Sequence, residues 1–545
     1  MPTFKLDGKD IPFEPGESII KAAYRQGIEI PHYCWHAGLS APANCRMCLV
    51  ELKPGPTQRA MMLDILEWDP ALQDYRNVQK PKLQPACQYP ATEGQEVLSD
   101  TSKHVVEARA GVQEFLLLNH PVDCPICDQS GECKLQDYWL EHQASSQPHK
   151  RMRDEPIHKP KAVVFGPTIV YDAERCVMCT RCIRFMDEVA KDPVLDMRER
   201  GNLNEIFVAP GRQLEGHYTF MTEHVCPVGA LTTKDFRFKA RVWFLRTTNS
   251  VCQGCATGCN AHLDYDPRSN KAYRYRPRDN EAVNKYWMCD EGMLSYRAAH
   301  EGRVIEARIG RKKVAIEAAI KEAKKRLGDV PKSAIAVVLS AQHSLEDNWA
   351  MRELARLLSA STARAPDTLY AAGAGPGYAD DILIDADKNP NTAGVRELAS
   401  TAKPYTQLLD DMRSGRVSHV IALGGVSPRS EPEDATALGM LGTLVVIATH
   451  EGMLTDAAHV VLPATSWAEH TGTYVNRQGI RQIAEKGILP QGASKPGWEL
   501  TRLLATALGL EPPWSKLKDV RALLVGSATP PASTRDITAV TTGAT

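Results

Sequence analysis

Fifteen cysteines lie between Cys34 and Cys289 of this 545-residue chain, and the last 256 residues contain none. The stretch "NHPVDCPICDQSGECKLQD" (119–137) places three of them and one histidine within fourteen residues. Thiolate and imidazole groups at such short spacing bind zinc or iron–sulfur clusters. Clustered cysteines in a long chain without a secretory signal indicate metal ligands in a reducing compartment rather than disulfides.

The spacing divides the cysteines into four groups, and His120 completes the second group as a sixteenth ligand. The groups are Cys34, Cys45, Cys48 and Cys87; His120, Cys124, Cys127 and Cys133; Cys176, Cys179, Cys182 and Cys226; and Cys252, Cys255, Cys259 and Cys289. The third group, C-x₂-C-x₂-C closed by a remote Cys-Pro, follows the bacterial ferredoxin pattern for a [4Fe–4S] cluster. The first group contains the C-x₂-C step of plant-type [2Fe–2S] ferredoxins, in Cys45 and Cys48. Ten residues separate Cys34 from Cys45, however, where the plant-type pattern has four.

Structural zinc is the alternative for any single C-x₂-C pair. Three cysteines in a C-x₂-C-x₂-C run crowd one tetrahedral ion, whereas a cubane spreads its ligands over four irons, so the set as a whole favours iron–sulfur clusters. A neutral imidazole at His120 removes one negative charge from its cluster and should make reduction easier. The alternative for His120 is an ordinary histidine after the helical stretch "VVEARAGVQEFLLLN".

The elements around these groups change along the chain. "TFKLDGKDIPFEP" predicts two strands joined by an Asp-Gly turn, and "ESIIKAAYRQG" predicts a helix ending at Gly27, which is how a ferredoxin-like β-grasp domain begins. Later, a helix over 313–328 would place Ile316, Ile320, Ala323 and Leu327 on one face. Apolar runs suited to buried parallel strands alternate with helical stretches beyond it, which predicts a Rossmann-like α/β region. Those runs are 333–340, 418–425 and 443–449, and the helical stretches include 344–360 and 405–415.

Composition excludes several classes of function. The net charge is −1, from 65 basic and 66 acidic residues, so nothing points to nucleic acid. The chain has no apolar run as long as a membrane span, and its N-terminus resembles neither a secretory signal nor a transit peptide.

Three further segments carry weaker information. "AGAGPGYAD" (372–380) is glycine-rich but is not G-x-G-x-x-G, and no strand pattern leads into it, so a plain loop is preferred over a nucleotide-binding loop. The insert 54–82 is predicted to be a surface excursion that could contact a partner. The tail 527–545 is rich in Pro, Ser and Thr and is predicted to be disordered.

The ordered motifs of the first 300 or so residues resemble the large iron–sulfur subunit of respiratory complex I, the bacterial NADH–quinone oxidoreductase. The motifs are "PHYCWH", "CRMCLVE", "CQYPATEG", "NHPVDCPICDQSGECKLQD", "CVMCTRCIRF", "CPVGAL" and "CQGCATGC…NKYWMCDEG". The stretch 456–482 resembles molybdopterin oxidoreductases, to which that family's C-terminal region is related. No cysteine follows Cys289 and the region is short, so no molybdopterin is expected.

The resemblance implies one [2Fe–2S] cluster on the first group and a [4Fe–4S] cluster on each of the others. It implies a subunit of an NADH:quinone oxidoreductase (a translocase) that carries electrons and has no substrate chemistry of its own. Electrons would come from the FMN of a partner NADH-oxidising subunit, pass the first, third and second groups, and continue through further iron–sulfur subunits to quinone. The fourth group would lie off this route. Direct NADH binding is not expected. The membrane arm would be reached only indirectly, and the chain would sit peripherally on the cytoplasmic side of a bacterial inner membrane.

The expected fold class is α+β and multidomain: a β-grasp [2Fe–2S] domain, a [4Fe–4S] ferredoxin-like domain and a truncated molybdopterin-oxidoreductase-like α/β region. The expected domains are 1–100 (β-grasp), 101–140 (His-Cys₃ segment), 141–245 (ferredoxin-like), 246–302 (fourth cluster), 303–526 (degenerate α/β) and 527–545 (tail).

Two alternatives to the complex I interpretation stay open. The same N-terminal modules occur in iron–sulfur subunits of NAD-linked hydrogenases and of formate dehydrogenases. Hydrogenases that house their active cluster in the same chain need cysteines beyond these modules, and a formate dehydrogenase needs an intact molybdenum domain. The second alternative is a zinc-stabilised interaction scaffold without a redox role.

Overall fold

The computed structural model describes residues 1–53, 61–142, 155–331, 335–359, 369–427 and 432–527. These residues form two compact units with a boundary between Trp243 and Phe244. The first three cysteine groups belong to the N-terminal unit, and the fourth belongs to the C-terminal unit.

The N-terminal unit begins with a five-stranded sheet. Its first hairpin turns at Asp7 (φ 48°) and Gly8 (φ 84°), two left-handed residues of the kind that tight hairpins need. Helix Ile19–Arg25 buries its apolar face against this sheet, and Gly27 (φ 70°) adopts the left-handed conformation just past the helix end. In sheet order the strands are Lys9–Pro12, Thr3–Leu6, Glu96–Leu98, Leu49–Leu52 and Gln84–Pro85. The predicted β-grasp opening is confirmed.

The insert forms an antiparallel hairpin of strands Met62–Asp69 and Asp74–Pro81. Trp68 lies opposite Tyr75, and their rings make an edge contact at 5.2 Å. Most of the hairpin is exposed, Leu66 by 68%, which agrees with a surface excursion. Its two strands were not predicted from the sequence, and residues 54–60 lie outside the described residues.

The rest of the N-terminal unit consists of short elements between the ligand loops. Its helices are Lys103–Leu117, Lys134–His142, Arg181–Glu188 and Phe220–His224. A three-stranded sheet has the order Leu231–Thr233, Ile169–Tyr171, Val163–Val164, and strands Leu195–Arg198 and Glu205–Val208 pair with each other. Tyr171 and Phe185 are fully buried in this part. Regular structure is brief here because much of the chain is used in the loops that carry the cysteines.

The C-terminal unit opens with an antiparallel sheet of strands Arg246–Val251, Asn260–Asp266 and Lys271–Pro277. The buried Asp264 carboxylate accepts hydrogen bonds from Arg274 and Arg276, with Nε–Oδ2 distances of 2.8 and 2.7 Å. These guanidinium groups hold the pKa of Asp264 well below its usual range against the opposing effect of burial, which is the largest contribution. Helix Asp290–Leu294 and a 3₁₀ turn, Ser295–Ala299, follow the sheet.

An eight-stranded sheet organises the remainder, and six consecutive strands in it are parallel. Its order is Lys312–Val314, Ala307–Ile309, Val460–Pro463, Thr443–Ala448, His419–Leu423, Ile335–Ser340, Leu369–Ala372 and Lys403–Pro404. The helices are Ile316–Leu327, Leu345–Leu358, Thr392–Leu398, Tyr405–Arg413, Pro432–Gly439, Met453–Ala457, Gly497–Ala507 and Leu517–Ser527, and strands Gly472–Val475 and Arg481–Ala484 pair separately. Alternate side chains of the parallel strands enter two different apolar clusters, so both faces of the sheet are covered. This confirms the predicted Rossmann-like region.

Two details of the sequence analysis were wrong. Residues Lys312–Val314 form a strand, so the predicted helix begins only at Ile316. The predicted apolar face itself is confirmed, since Ile316, Ala323 and Leu327 are buried in one cluster and Ile320 packs against it. A strand, Leu369–Ala372, does lead into the glycine-rich segment, and it pairs in parallel with Ile335–Ser340. It was missed because four residues with two alanines have little strand propensity of their own and depend on tertiary pairing.

The predicted disordered tail lies outside the described residues apart from Ser527, where the last helix ends. Within the described ranges, no helix combines the length and apolar character needed to cross a membrane.

Candidate metal centres

The four cysteines of the first group lie in two hydrogen-bonded pairs. The backbone N–H of Cys34 points at the sulfur of Cys45 at 3.5 Å, and the two side chains are hydrogen bonded. Cys48 is hydrogen bonded to Cys87 in the same way. Three of the four cysteines are buried, and Cys45 is partly buried. The left-handed Arg46 (φ 61°) reverses the chain between Cys45 and Cys48. The structure therefore brings all four predicted residues of this group together in two pairs.

Backbone donors converge on the sulfur of Cys45. The thiol of Cys34 lowers the pKa of Cys45 to about 6, against the effect of burial, with further lowering from the N–H groups of Cys34, Met47 and Tyr33. The bond to Cys45, followed by burial, raises the pKa of Cys34. N–H groups aimed at sulfur stabilise negative charge there, and in iron–sulfur proteins such hydrogen bonds adjust the reduction potential. The loop is thus suited to hold an anionic sulfur.

The third group lines one small cavity. Two left-handed residues, Met178 (φ 51°) and Thr180 (φ 59°), alternate with the cysteines of the C-x₂-C-x₂-C run and turn successive thiols inwards. The N–H of Met178 lies 3.4 Å from the sulfur of Cys176. The lining includes all four predicted ligands, Cys176, Cys179, Cys182 and Cys226. The fold therefore places Cys226, the ligand that is remote in sequence, beside the three cysteines of the C-x₂-C-x₂-C run.

Burial dominates the electrostatics of this cavity. It raises the pKa of Cys176 to about 11, and it raises the pKa of Cys179 against the charge of Arg181. Burial, with the charges of neighbouring cysteines, also raises the pKa values of Cys182 and Cys226. Four thiolates around one cavity repel one another unless a cation compensates for them. Iron provides that positive charge, because metal binding favours the deprotonated ligands. The donor set and the cavity fit a metal cluster.

Tyr171 is a further contributor that the sequence did not reveal. Its hydroxyl donates a hydrogen bond to the sulfur of Cys176 and accepts one from the N–H of Ile206 at 3.2 Å. The ring is 1% exposed, so the orientation of the hydroxyl is fixed by packing as well as by these bonds. A tyrosine in an apolar strand gives no sequence signal of such a role.

The second group is assembled from one loop after helix Lys103–Leu117. The charges of Cys124, Cys127 and Cys133 interact with one another, and Cys127 and Cys133 are buried. Burial raises the pKa of Cys133 to about 11. His120 is partly buried, and burial followed by the charge of Arg175 lowers its pKa to about 4, so the imidazole is neutral near pH 7. The structure therefore brings the three cysteines together. His120 is a neutral imidazole that lies near the charged side chains of Arg175, Asp123 and Lys161.

The second and third groups pack directly on each other. A Cβ on Gly229, three residues after Cys226, would lie 2.2 Å from the sulfur of Cys127, so only glycine fits this approach. The N–H of Lys134 donates to the carbonyl of Pro227 at 3.1 Å. Beside these contacts, Arg175 bonds through Nη2 to the carboxylate of Asp123 at 3.0 Å. Arg175 precedes Cys176 and Asp123 precedes Cys124, so a salt bridge joins the two ligand loops.

The fourth group, in the C-terminal unit, surrounds a cavity of about 160 Å³. The N–H groups of Gly254 and Gly292 lie 3.4 and 3.3 Å from the sulfurs of Cys252 and Cys289. A Cβ on Gly292 would lie 3.1 and 3.2 Å from these same two sulfurs, which leaves little room for a larger residue. All four predicted ligands, Cys252, Cys255, Cys259 and Cys289, line the cavity.

Residues from the glycine-rich stretch and the segment that follows it complete this cavity. Tyr378, Leu383, Ile384 and Lys388 all line it, although they lie about a hundred residues beyond the cysteines. The segment 372–380 is therefore more than the plain loop that was predicted, since its Tyr378 covers the fourth group. The separation in sequence and the absence of any ligand-type residue explain why this role was not foreseen.

All fifteen cysteines lie in the described part of the chain, and none of them forms a disulfide there. Across those same ranges, no group of three or more His, Cys, Asp or Glu side chains is arranged around a position for a single metal ion.

Four sequence families match consecutive parts of the chain. Residues 1–67 match a 2Fe-2S iron-sulfur cluster binding domain, and residues 109–148 match the NADH-ubiquinone oxidoreductase-G iron-sulfur binding region. Residues 166–232 match the ferredoxin-like domain of NADH-quinone oxidoreductase subunit 3, and residues 285–507 match molybdopterin oxidoreductase.

The curated relatives agree with these matches. The G subunit of NADH-quinone oxidoreductase from Rickettsia conorii is 28% identical over 95% of this chain and 89% of its own length. The protein of the same name from Streptomyces coelicolor is 35% identical over 55% of this chain and 32% of its own length. Among solved structures, an NAD⁺-reducing [NiFe]-hydrogenase in its H₂-reduced state matches 44% of this chain and 91% of that chain, at 26% identity and a TM-score of 0.34. With iron–sulfur domains followed by a molybdopterin-oxidoreductase-like region, the chain belongs to the family of NADH-quinone oxidoreductase G subunits.

Proposed function

We propose that this chain carries electrons within an NADH–quinone oxidoreductase, from the FMN of a partner NADH-oxidising subunit towards quinone. One observation supports this most strongly. The four cysteines of the third group line one cavity inside the residues that match the ferredoxin-like domain of NADH-quinone oxidoreductase subunit 3. Four thiols gathered around one cavity suit an iron–sulfur cluster, and such a cluster carries electrons.

The sixteen residues of the four groups are the proposed ligands, for one [2Fe–2S] cluster on the first group and one [4Fe–4S] cluster on each of the others. A bound iron–sulfur cluster supplies a one-electron carrier. The chain's own contribution is to hold the sulfurs, to direct N–H and O–H donors at them, and to exclude water by burial. At the second group, the neutral imidazole of His120 would contribute no negative charge to the ligand set.

The order of the centres is also a proposal. We place the first, third and second groups on the route, in that order, and the fourth group off it. The direct packing of the second on the third, through Gly229 and Cys127, supports their being neighbours. Further iron–sulfur subunits would accept the electrons, and the chain would be peripheral, with the membrane arm reached only through those partners. We expect no molybdopterin in the C-terminal unit, because no cysteine follows Cys289.

A pair of variants tests this proposal in the whole complex. Cys182→Ser removes a ligand on the proposed route, and Cys289→Ser removes one from the fourth group. NADH oxidation is assayed with a quinone and, separately, with ferricyanide, an artificial acceptor that takes electrons from the flavin subunit. We expect Cys182→Ser to reduce quinone-dependent turnover at least about tenfold while ferricyanide reduction persists, since the flavin subunit is untouched.

The matched variant Cys289→Ser should keep quinone-dependent turnover within about twofold in the assembled complex, since no electron on the route needs that group. Full quinone reduction in Cys182→Ser would refute electron carriage through the third group. Abolished turnover in assembled Cys289→Ser would place the fourth group on the route. Hydrogen-dependent NAD⁺ reduction by the purified wild-type complex would favour the hydrogenase alternative.

A further inference from the structure

One arginine contacts the ligand loops of two different cysteine groups. Arg184 lies in helix Arg181–Glu188, directly after the third-group run. Its Nη2 donates to the carbonyl oxygen of Cys34, in the first group, at 2.5 Å and to that of Cys179, in the third group, at 3.2 Å. Its Nη1 donates to the carbonyl of Ser40, also in the first-group loop. A single guanidinium therefore ties a ligand of each group to the same helix.

A second arginine, one helical turn earlier, repeats the arrangement. Arg181 donates through Nη2 to the carbonyl of Trp35, next to Cys34, and through Nη1 to that of Val225, next to Cys226, at 3.2 Å. It is 8% exposed. A third, neutral contact joins the same loops, since the amide of Asn44 donates to the carbonyl of Met178 at 3.3 Å. Arg181 and Arg184 form what we call the arginine bridge.

The arginine bridge carries positive charge that few carboxylates offset. In the described residues, the hydrogen bonds of Arg184 all go to uncharged oxygens, the fourth being the hydroxyl of Thr180 at 3.3 Å. Glu188 interacts with Arg184 through its charge, but its oxygens accept hydrogen bonds from Ser40. Guanidinium groups remain protonated even when buried, so the charge is retained.

Arg175, at the joint between the second and third groups, provides a contrast. Its guanidinium lies 3.0 Å from the carboxylate of Asp123 and 3.3 Å from that of Asp172. Arg175 is thus neutralised locally, whereas the arginine bridge is not. The two joints should therefore affect neighbouring redox centres differently.

We propose that Arg184, supported by Arg181, is a positioning residue that fixes the first- and third-group ligand loops against each other and raises the reduction potentials of both centres through its charge. This inference rests on the proposed function, because it needs redox centres at both groups. A nearby cation stabilises the more negative, reduced state of each centre and so favours reduction. The planar fork also satisfies carbonyls on both loops at once, which a lysine ammonium, as a point charge on a flexible stem, does less well.

The test is a redox titration of the whole complex followed by electron paramagnetic resonance. In Arg184→Met we expect the equilibrium constant for reducing each of the two centres to fall by on the order of tenfold, or about 59 mV for a one-electron couple. Arg184→Lys should restore most of both potentials, because the charge returns. The magnetic interaction between the two reduced centres should weaken in both variants, because the fork that fixes the loops is lost. Arg212→Met is the control, because Arg212 is about half exposed and forms a salt bridge with Asp192. Both centres should keep their wild-type potentials in this variant.

Unchanged potentials for both centres in Arg184→Met would overturn the charge role, and an unchanged magnetic interaction in both variants would overturn the positioning role. If Arg184→Met does not retain the centres, Arg184→Gln, which keeps N–H donors but no charge, is titrated with the same two criteria. A wild-type complex without signals from these centres would instead refute the proposed function itself. The two failures are therefore distinguishable.

Discussion

Gly229→Ala is the sharpest perturbation that the structure offers, because it adds one methyl group at the contact between two ligand groups. The new Cβ would lie 2.2 Å from the sulfur of Cys127 and 3.0 Å from the Cβ of Gln129. Gly229 does not have a left-handed backbone, so alanine introduces no conformational strain of its own. Any effect must therefore come from the steric contacts with Cys127 and Gln129, of which the contact with Cys127 is much the shorter.

The size of the effect follows from these distances. Real Cβ contacts are essentially never shorter than 3.0 Å, so the sulfur of Cys127 must move by at least roughly 0.8 Å. Overpacking of this kind costs about 1–3 kcal/mol. A ligand displaced by that much cannot hold its iron, because metal–ligand distances tolerate only about 0.2 Å. We expect Gly229→Ala to lose the second-group cluster, which is about four irons of about fourteen per chain.

The assay is iron content of the anaerobically purified chain, together with the electron paramagnetic resonance signals of the remaining centres. Gly111→Ala is the matched control: it makes the same change inside helix Lys103–Leu117, where an added Cβ meets nothing within 4 Å. That control should keep all its iron and gain up to about 1 kcal/mol in stability from the better helix propensity of alanine. A full iron content in Gly229→Ala, with an unaltered second-group signal, would refute the packing of Gly229 against a ligand sulfur.

Three other predictions concern single side chains. His120→Cys should retain a cluster but lower its potential, because a thiolate replaces a neutral ligand; an unchanged potential in a redox titration would remove His120 from the ligand set. Tyr171→Phe should lower the potential of the third-group centre, because the hydrogen bond to Cys176 is lost. An unchanged third-group potential in the same titration would disprove this. Asp264→Asn should destabilise the C-terminal unit by about 3–5 kcal/mol in denaturant unfolding, because Arg274 and Arg276 lose a buried anion. Since the folded pKa of Asp264 is depressed, its contribution is present above the unfolded value of about 3.9 and is lost as pH falls below it. Wild-type stability that declines between pH 5 and 2 no more steeply than that of Asp264→Asn would contradict this.

The cysteine groups could be predicted because their spacing is dictated by local chain geometry. A C-x₂-C-x₂-C run is held by its own turn, and the left-handed Met178 and Thr180 are the structural form of that constraint. The Asp7–Gly8 hairpin and the buried strand Thr443–Ala448 were likewise encoded locally, by a turn dipeptide and by a continuous apolar run.

What escaped the sequence analysis depends on contacts between distant residues. Gly229 and Cys127 are about a hundred residues apart, as are Tyr378 and the fourth cysteine group, and no local pattern records such proximity. Arg184 looks in sequence like one charged residue of a short helix, and only the fold shows that it reaches the carbonyl of Cys34. Strand Leu369–Ala372 forms because a neighbouring strand offers hydrogen bonds, not because of its own residue types.

The most direct test of the central claim, that the four cysteine groups hold iron–sulfur clusters for electron transfer, is elemental analysis of the anaerobically purified chain for iron, zinc and molybdenum together. One [2Fe–2S] and three [4Fe–4S] clusters predict about 14 irons per chain, with neither zinc nor molybdenum. Zinc in place of iron would contradict the account, and stoichiometric molybdenum would show that the C-terminal unit binds a cofactor that we expect it to lack.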